Sequence, residues 1–117
     1  MCSGKVVYDL AAERDKRRAH EVALLRVEQM YPLPAGEITD VLGSFSNATD
    51  IVWVQEEPAN MGCWPFIALH LPDEISDGRQ LRRISRDATP SPATGSHSVH
   101  EREQEERVTD AFSGLND

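Results

Sequence analysis

The sequence predicts an α/β domain in which a mostly parallel sheet is covered by helices on both faces. Three observations predict it. Val22–Val27 and Ile51–Val54 are short, nearly continuous apolar runs rich in β-formers, the pattern of strands buried on both sides. Between and after them apolar residues recur at helical spacing, so helix and strand alternate. At 117 residues the chain has the common size of a single domain and can bury one core.

The elements follow in order. Val6, Val7, Leu10 and Ala11 form an apolar stripe on a helix that starts near Ser3 or Gly4 and runs to about Arg18. Lys16, Arg17 and Arg18 close it, where cations meet the negative end of the helix dipole. Val22–Val27 is the first central strand. Tyr31-Pro32-Leu33-Pro34 breaks the chain, and Ile38, Val41, Leu42 and Phe45 then define the inner side of a helix that ends before a polar turn at 46–50. Ile51–Val54 is the second central strand, completing a βαβ unit whose strands lie side by side and point the same way.

A shorter helix begins near Trp64-Pro65, since proline is tolerated in a first turn, and carries Phe66, Ile67 and Leu69 towards a stop at Leu71-Pro72. Leu81–Ser85 reads as a further strand, although Arg82 and Arg83 interrupt its alternation. Residues 87–97 are rich in proline, glycine and serine and form a loop by composition. Ser98-Val99-His100-Glu101 then has capping-box spacing and opens a last helix, with Val108, Ala111 and Phe112 on its inner side.

Charge and cysteine content narrow the function. Twenty acidic against twelve basic residues give a net charge of -8, which opposes binding to nucleic acid and favours basic partners. Cys2 and Cys63 lie far apart, with no second cysteine at metal-ligand or redox spacing beside either, which fits a reducing cytoplasm. No apolar run approaches the roughly 20 residues of a membrane span, and the first residues lack a signal peptide's basic and apolar regions. A cytoplasmic location without a membrane partner is therefore expected. Asn47-Ala48-Thr49 matches a glycosylation acceptor pattern that needs a secreted context.

Ligands of open α/β sheets gather beyond the carboxyl ends of the strands. Here Val27 runs into Glu28 and Gln29, and Val54 runs into Gln55, Glu56, Glu57 and Pro58, so the two strands deliver carboxylates and amides to one rim. Paired carboxylates there can do acid–base work, meet basic groups on a partner, or face water. No histidine or nucleophile stands in a fixed relation to them, which favours the interface over catalysis. Ser3-Gly4-Lys5 lacks the glycine and spacer of a phosphate loop and reads as a helix cap. His97 and His100 lack partners at zinc spacing, and His20 and His70 are isolated. Trp53 and Trp64 read as core or interface anchors. No catalytic, cofactor-binding or metal-ligating residue is assigned.

Four ordered blocks nevertheless resemble one family. They are Cys2-Ser3-Gly4-Lys5 through Leu10, Arg26-Val27-Glu28-Gln29 with Tyr31-Pro32-Leu33-Pro34, Trp53 through Asn60 with Gly62 and Trp64, and Ser91 through His97 with Val99-His100. Together they resemble the C-terminal domain of the thiamine-diphosphate-dependent, decarboxylating component of 2-oxoglutarate dehydrogenase, over nearly the whole chain. The resemblance implies a transketolase C-terminal-domain-like three-layer sandwich with a mostly parallel, mixed sheet. It implies a citric acid cycle enzyme that decarboxylates 2-oxoglutarate and passes succinyl to a lipoyl carrier.

In that family thiamine diphosphate and magnesium are held by upstream domains, so this chain is expected to bind neither and to be inactive alone. Its implied partners are those upstream domains, the dimer mate and the acyltransferase component with its lipoyl domain. Interface candidates are Glu28, Gln29, Gln55, Glu56, Glu57, Pro58, Asn60 and Trp64. Relatives carry an apolar strand ahead of Cys-Ser-Gly-Lys where only Met1 stands here, so the sheet should lack most of its first strand and expose an edge prone to self-association. Met61-Gly62-Cys63-Trp64 departs slightly from the usual Gln-Gly-Ala-Trp. Ala35-Gly36 replaces the basic residues of relatives that acetyl-CoA activates, so that site is not carried over. A free-standing binding or regulatory module, or the same domain of a 2-oxoadipate dehydrogenase, remains an alternative.

Overall fold

The computed structural model describes residues 1–45, 47–74, 79–88, 90 and 106–112, which form a small α/β unit. Helix α1 spans Val6–Arg17, α2 Ala35–Gly43 and α3 Trp64–Glu74, and strands β1 (Asp50–Pro58) and β2 (Gln80–Arg86) form a two-stranded parallel sheet. Residues 106–111 are helical again. The capping box at 98–101, His97, His100 and nearly all of the 87–97 loop lie outside the described residues.

β1 organises the core because its side chains alternate between two helical layers. Ile51 and Trp53 enter a cluster with Ile38 and Leu42 of α2 and Ile67 and Leu71 of α3. Val54 enters a second cluster with Val6 and Leu10 of α1, Ile84 of β2 and Phe112. Trp53, Ile67 and Leu71 are fully enclosed. Each such side chain contributes roughly 1.5–3 kcal/mol on leaving water.

The first central strand needs correction. Val22–Val27 is not a continuous strand, and it is not adjacent to β1. Cys2 lies between them, bridged in parallel to Arg26 on one side and to Val54 on the other. Cys2 N donates to Leu25 O at 3.0 Å, Val27 N donates to Cys2 O at 2.8 Å, and Val54 N donates to Met1 O at 2.9 Å. The physical reason is the length of the neighbour: only Met1 and Cys2 occupy that lane, so the 22–27 segment has a ladder partner at one position. The predicted direction of both runs stands, since every pairing among the described residues is parallel.

Several boundaries also move. α1 begins at Val6 rather than near Ser3, its N-cap Lys5 makes no side-chain cap bond, and Gly4 at φ +77° turns the chain out of the Cys2 lane. Ser3 therefore does not cap α1. The helix closes as predicted among basic residues, with Arg18 in the left-handed region and its N–H on Arg14 O and Asp15 O. On α2 the inner face is Ile38 and Leu42, one turn apart, while Val41 and Phe45 are 38 % and 45 % exposed. α3 runs past Leu71-Pro72 to Glu74, with Pro72 inside the helix, where it forfeits its own bond to the carbonyl of Ala68. Leu69 is 70 % exposed. Val108 and Phe112 are buried as expected.

The guanidinium of Arg79, just before β2, accounts for the end of α2. It donates to Leu42 O and Ala48 O at 2.9 Å and to Phe45 O at 3.3 Å, tying the end of α2 to the turn that follows it.

Candidate functional site

β1 continues beyond Val54 through Gln55, Glu56, Glu57 and Pro58, with an irregular register between Val54 and Pro58. The rim is therefore built by the strand itself. Gln55, only 3 % exposed, is its hub. Its Oε1 accepts from Trp53 Nε1 at 3.0 Å and from the backbone N–H of Trp64 at 2.8 Å. Its Nε2 donates to Pro58 O and Met61 O at 2.9 Å and to Glu57 O at 3.2 Å. One amide thus ties the strand, the 58–63 turn and the start of α3 together. Only a group with both an acceptor and two donors can do this.

The turn is shaped by Gly62 at φ +63°, against which the Glu57 carboxylate packs where a Cβ would stand. Glu57 and Asn60 are exposed, Glu56 and Trp64 are half-buried, and Gln55 and Pro58 lie inside the domain. The eight predicted residues thus divide: Gln55 and Pro58 support the rim from within, and the others reach its surface in whole or part.

Glu28 stands on the neighbouring lane. Its Oε1 accepts from Gly4 N at 3.0 Å and pairs with Arg26 Nε at 2.6 Å. The bond from Gly4 N–H, reinforced by the Arg26 charge, holds the Glu28 carboxyl below its usual range. A carboxylate from the sheet therefore serves the turn into α1, the service Ser3 does not perform. Arg26 in turn lies over the Tyr8 ring, 5.4 Å from its centroid. Gln29 Nε2 donates to Pro32 O at 2.8 Å across the cis Tyr31–Pro32 bond, leaving Tyr31 86 % exposed beside the rim.

Glu28 and Glu57 converge electrostatically on Cys63. Burial, then the charges of Glu57 and Glu28, push the Cys63 thiol up, which keeps it protonated and poorly nucleophilic. Among the described residues no group of three or more His, Cys, Asp or Glu side chains is placed to hold a metal ion. A carboxylate-lined rim also repels a diphosphate. The described residues therefore do not fit a thiamine diphosphate and magnesium pair, the cofactors that the resemblance implies for other domains. The Glu28–Gly4 contact and the roles of Arg26 and Tyr8 were not anticipated. No local signal announced them, since Ser3 stands close enough to the helix start to read as its cap.

His20 lines a shallow cavity of about 300 Å³ with Arg14, Asp15, Arg18 and Val22. It is at the far end of α1, roughly 18 Å from the rim by helical rise. His70 stacks on Phe66 at 4.2 Å. No helix among the described residues is long and apolar enough to cross a membrane.

The model of the 2-oxoglutarate dehydrogenase C-terminal family matches residues 1–112. The chain is 41 % identical over 115 residues to a 2-oxoglutarate dehydrogenase E1 component of Cupriavidus necator, covering 98 % of this chain and 12 % of that protein. It is 39 % identical over 112 residues to a 2-oxoglutarate dehydrogenase E1/E2 component of Corynebacterium glutamicum, covering 96 % and 9 %. It is 43 % identical over 113 residues to a multifunctional 2-oxoglutarate metabolism enzyme of Mycolicibacterium vanbaalenii, again covering 96 % and 9 %. The chain spans about a tenth of the length of these relatives.

Proposed function

The chain belongs to the 2-oxoglutarate dehydrogenase C-terminal family, and from that premise we propose that it is the assembly module of a 2-oxoglutarate dehydrogenase. The observation that carries this reading is the Gln55 hub. A buried amide with five hydrogen bonds holds a short carboxylate-bearing turn in one shape, as an interface requires and a solvated edge does not. Glu28 and Glu57, with Glu56 and Asn60, meet basic and amide groups of the preceding polypeptide and of a dimer mate. Their desolvation there is offset by charge-assisted hydrogen bonds.

The complete enzyme decarboxylates 2-oxoglutarate and transfers succinyl to the lipoyl domain of its acyltransferase partner in the cytoplasm, within the citric acid cycle. Thiamine diphosphate, with magnesium, supplies the carbanion-stabilising chemistry when bound to the other domains of that enzyme. This chain supports their arrangement and is inactive alone.

Complementation tests the reading. The Cupriavidus necator relative, ended before the region matched here, is mixed with this chain and assayed for 2-oxoglutarate decarboxylation. Activity restored by the chain, and lost when Glu57→Lys reverses the rim charge, supports it. Failure of complementation, or micromolar binding of thiamine diphosphate and magnesium by the isolated chain, refutes it and favours a free-standing binding module.

A further inference from the structure

The chain reverses direction at the end of α1, and the reversal encloses a polar cavity. Arg18 stands in the left-handed region at φ 52°. Three bonds then wind the chain tightly: Ala19 N donates to Arg14 O at 3.0 Å, His20 N to Arg18 O at 2.9 Å and Val22 N to Ala19 O at 3.2 Å. Ala19, 1 % exposed, anchors this turn in the second core cluster. Between turn and helix lies the cavity of about 300 Å³ lined by Arg14, Asp15, Arg18, His20 and Val22. That volume is at the lower end of the range for small-molecule sites. Arg14 and Val22 are half-buried, and Asp15, Arg18 and His20 are exposed at its mouth.

The lining is rich in donors with few acceptors. Arg14 Nη1 reaches Val22 O only at 3.4 Å. Among the described residues neither Arg14 nor Arg18 forms an ion pair, although Asp15 lines the same cavity. The neighbouring Arg17 differs, since it pairs with Glu13 and lies over the Phe112 ring at 5.7 Å. A guanidinium carries five N–H donors in a planar fork that matches carboxylate and phosphate oxygens. We propose that this cavity binds a compact anion carrying two or more negative charges on carboxylate or phosphate groups, gripped by the Arg14 and Arg18 guanidinia with the His20 ring beside them.

Charge selects a small ligand over a large one. Residues 14–22 carry four Lys or Arg against two acids, in a chain of net charge -8. Nucleic acid or an acidic protein would also lie against the remaining, strongly acidic surface and be repelled. A small anion meets only the local charge, because the rim is roughly 18 Å away by helical rise and screening sets in over about 8 Å. The negative end of the α1 dipole, about half a charge, opposes an anion here. Two full guanidinium charges outweigh it, and the N–H groups of Arg18 and Ala19 already cover the carbonyls of Arg14 and Asp15. Once bound, the anion bridges α1 and the turn that leads into the 22–27 segment.

Titration of the 117-residue chain with citrate and, separately, with inorganic diphosphate tests it, by calorimetry and amide NMR at constant ionic strength. Saturable binding at one site is expected with a Kd of about 0.1–1 mM, and with shifts centred on residues 14–22. Arg18→Gly should weaken binding about tenfold or more and leave the fold intact, because glycine suits the left-handed conformation. Arg14→Gln should weaken it comparably. Lys16→Gln, which removes the same charge outside the lining, should change it less than about twofold.

Preference for citrate assigns a carboxylate ligand, preference for diphosphate a phosphate ligand, and equal affinity a site that reads charge and size alone; each upholds the inference. Saturable binding of neither probe, or shifts centred away from residues 14–22, overturns it. So does an equal loss in Lys16→Gln and Arg18→Gly, which assigns the effect to a diffuse cationic field. None of these results bears on complementation by the rim, so the two readings fail separately.

Discussion

Replacing Gln55 by methionine keeps the side chain's length and volume but removes its acceptor and both donors. Two donors, the buried Trp53 Nε1–H and the part-buried Trp64 N–H, then lose their acceptor, and the carbonyls of Pro58, Met61 and Glu57 lose a donor. An orphaned buried donor costs about 1–3 kcal/mol. The buried indole donor alone therefore costs about 1–3 kcal/mol, the buried Pro58 carbonyl adds to it, and the part-buried Trp64 N–H and the Glu57 and Met61 carbonyls add less. Against a usual total of about 5–15 kcal/mol this is a large fraction. Urea unfolding followed by tryptophan fluorescence measures it directly, since Trp53 reports the core and Trp64 the rim. A loss below about 1 kcal/mol would mean that the hub does not hold the turn, and the account of the rim would fall with it.

The other predictions concern charge and chain ends. Because the Glu28 carboxyl is held below its usual value, its contribution is complete above about 4.5 and is lost as pH falls through the lowered value. Glu28→Gln should flatten the acid limb of the stability curve, and an unchanged limb would contradict the Gly4 contact. The Met1 α-amino group donates to Val52 O at 2.6 Å and is pushed below 8.0 by burial. The unfolded chain then binds the proton more readily, so stability should rise with pH towards 8.0 and level off above it. Extending the chain ahead of Met1 with uncharged β-forming residues should raise the urea midpoint and abolish that slope, and a slope that persists would rule out the amine as its source. Arg79→Ala should cost about 1–3 kcal/mol, seen as faster amide hydrogen exchange at the end of α2, while uniform protection there would refute the clamp.

Legibility in the sequence followed the range of the interaction. Helices α1 to α3 and the positions of β1 and β2 were readable because propensity and apolar spacing are local signals, whereas the pairing of β1 with β2 was not. Gln55, Glu28 and Glu57 were readable as rim residues because they follow apolar runs. What was not readable depended on neighbours. The 22–27 run has strand composition, yet a strand needs a partner of equal length, and Cys2 offers it a single bridge. Gln55 looked like a surface amide because no local pattern announces that five groups converge on it. The outward turn of Leu69 was hidden because a helix apolar on two sides has no unique inner face in sequence.

The lane held by Cys2 has a kinetic consequence. Its partner on β1, Val54, follows it by fifty-two residues, so on a growing polypeptide Cys2 has nowhere to dock until β1 has left the ribosome. The helices can form early, but the sheet that unites their two layers closes only over this long separation. Pairing Cys2 with Val54 therefore carries a larger loop-closure cost than pairing β1 with β2, and until it forms the sheet edge stays open to chaperones or to neighbouring chains.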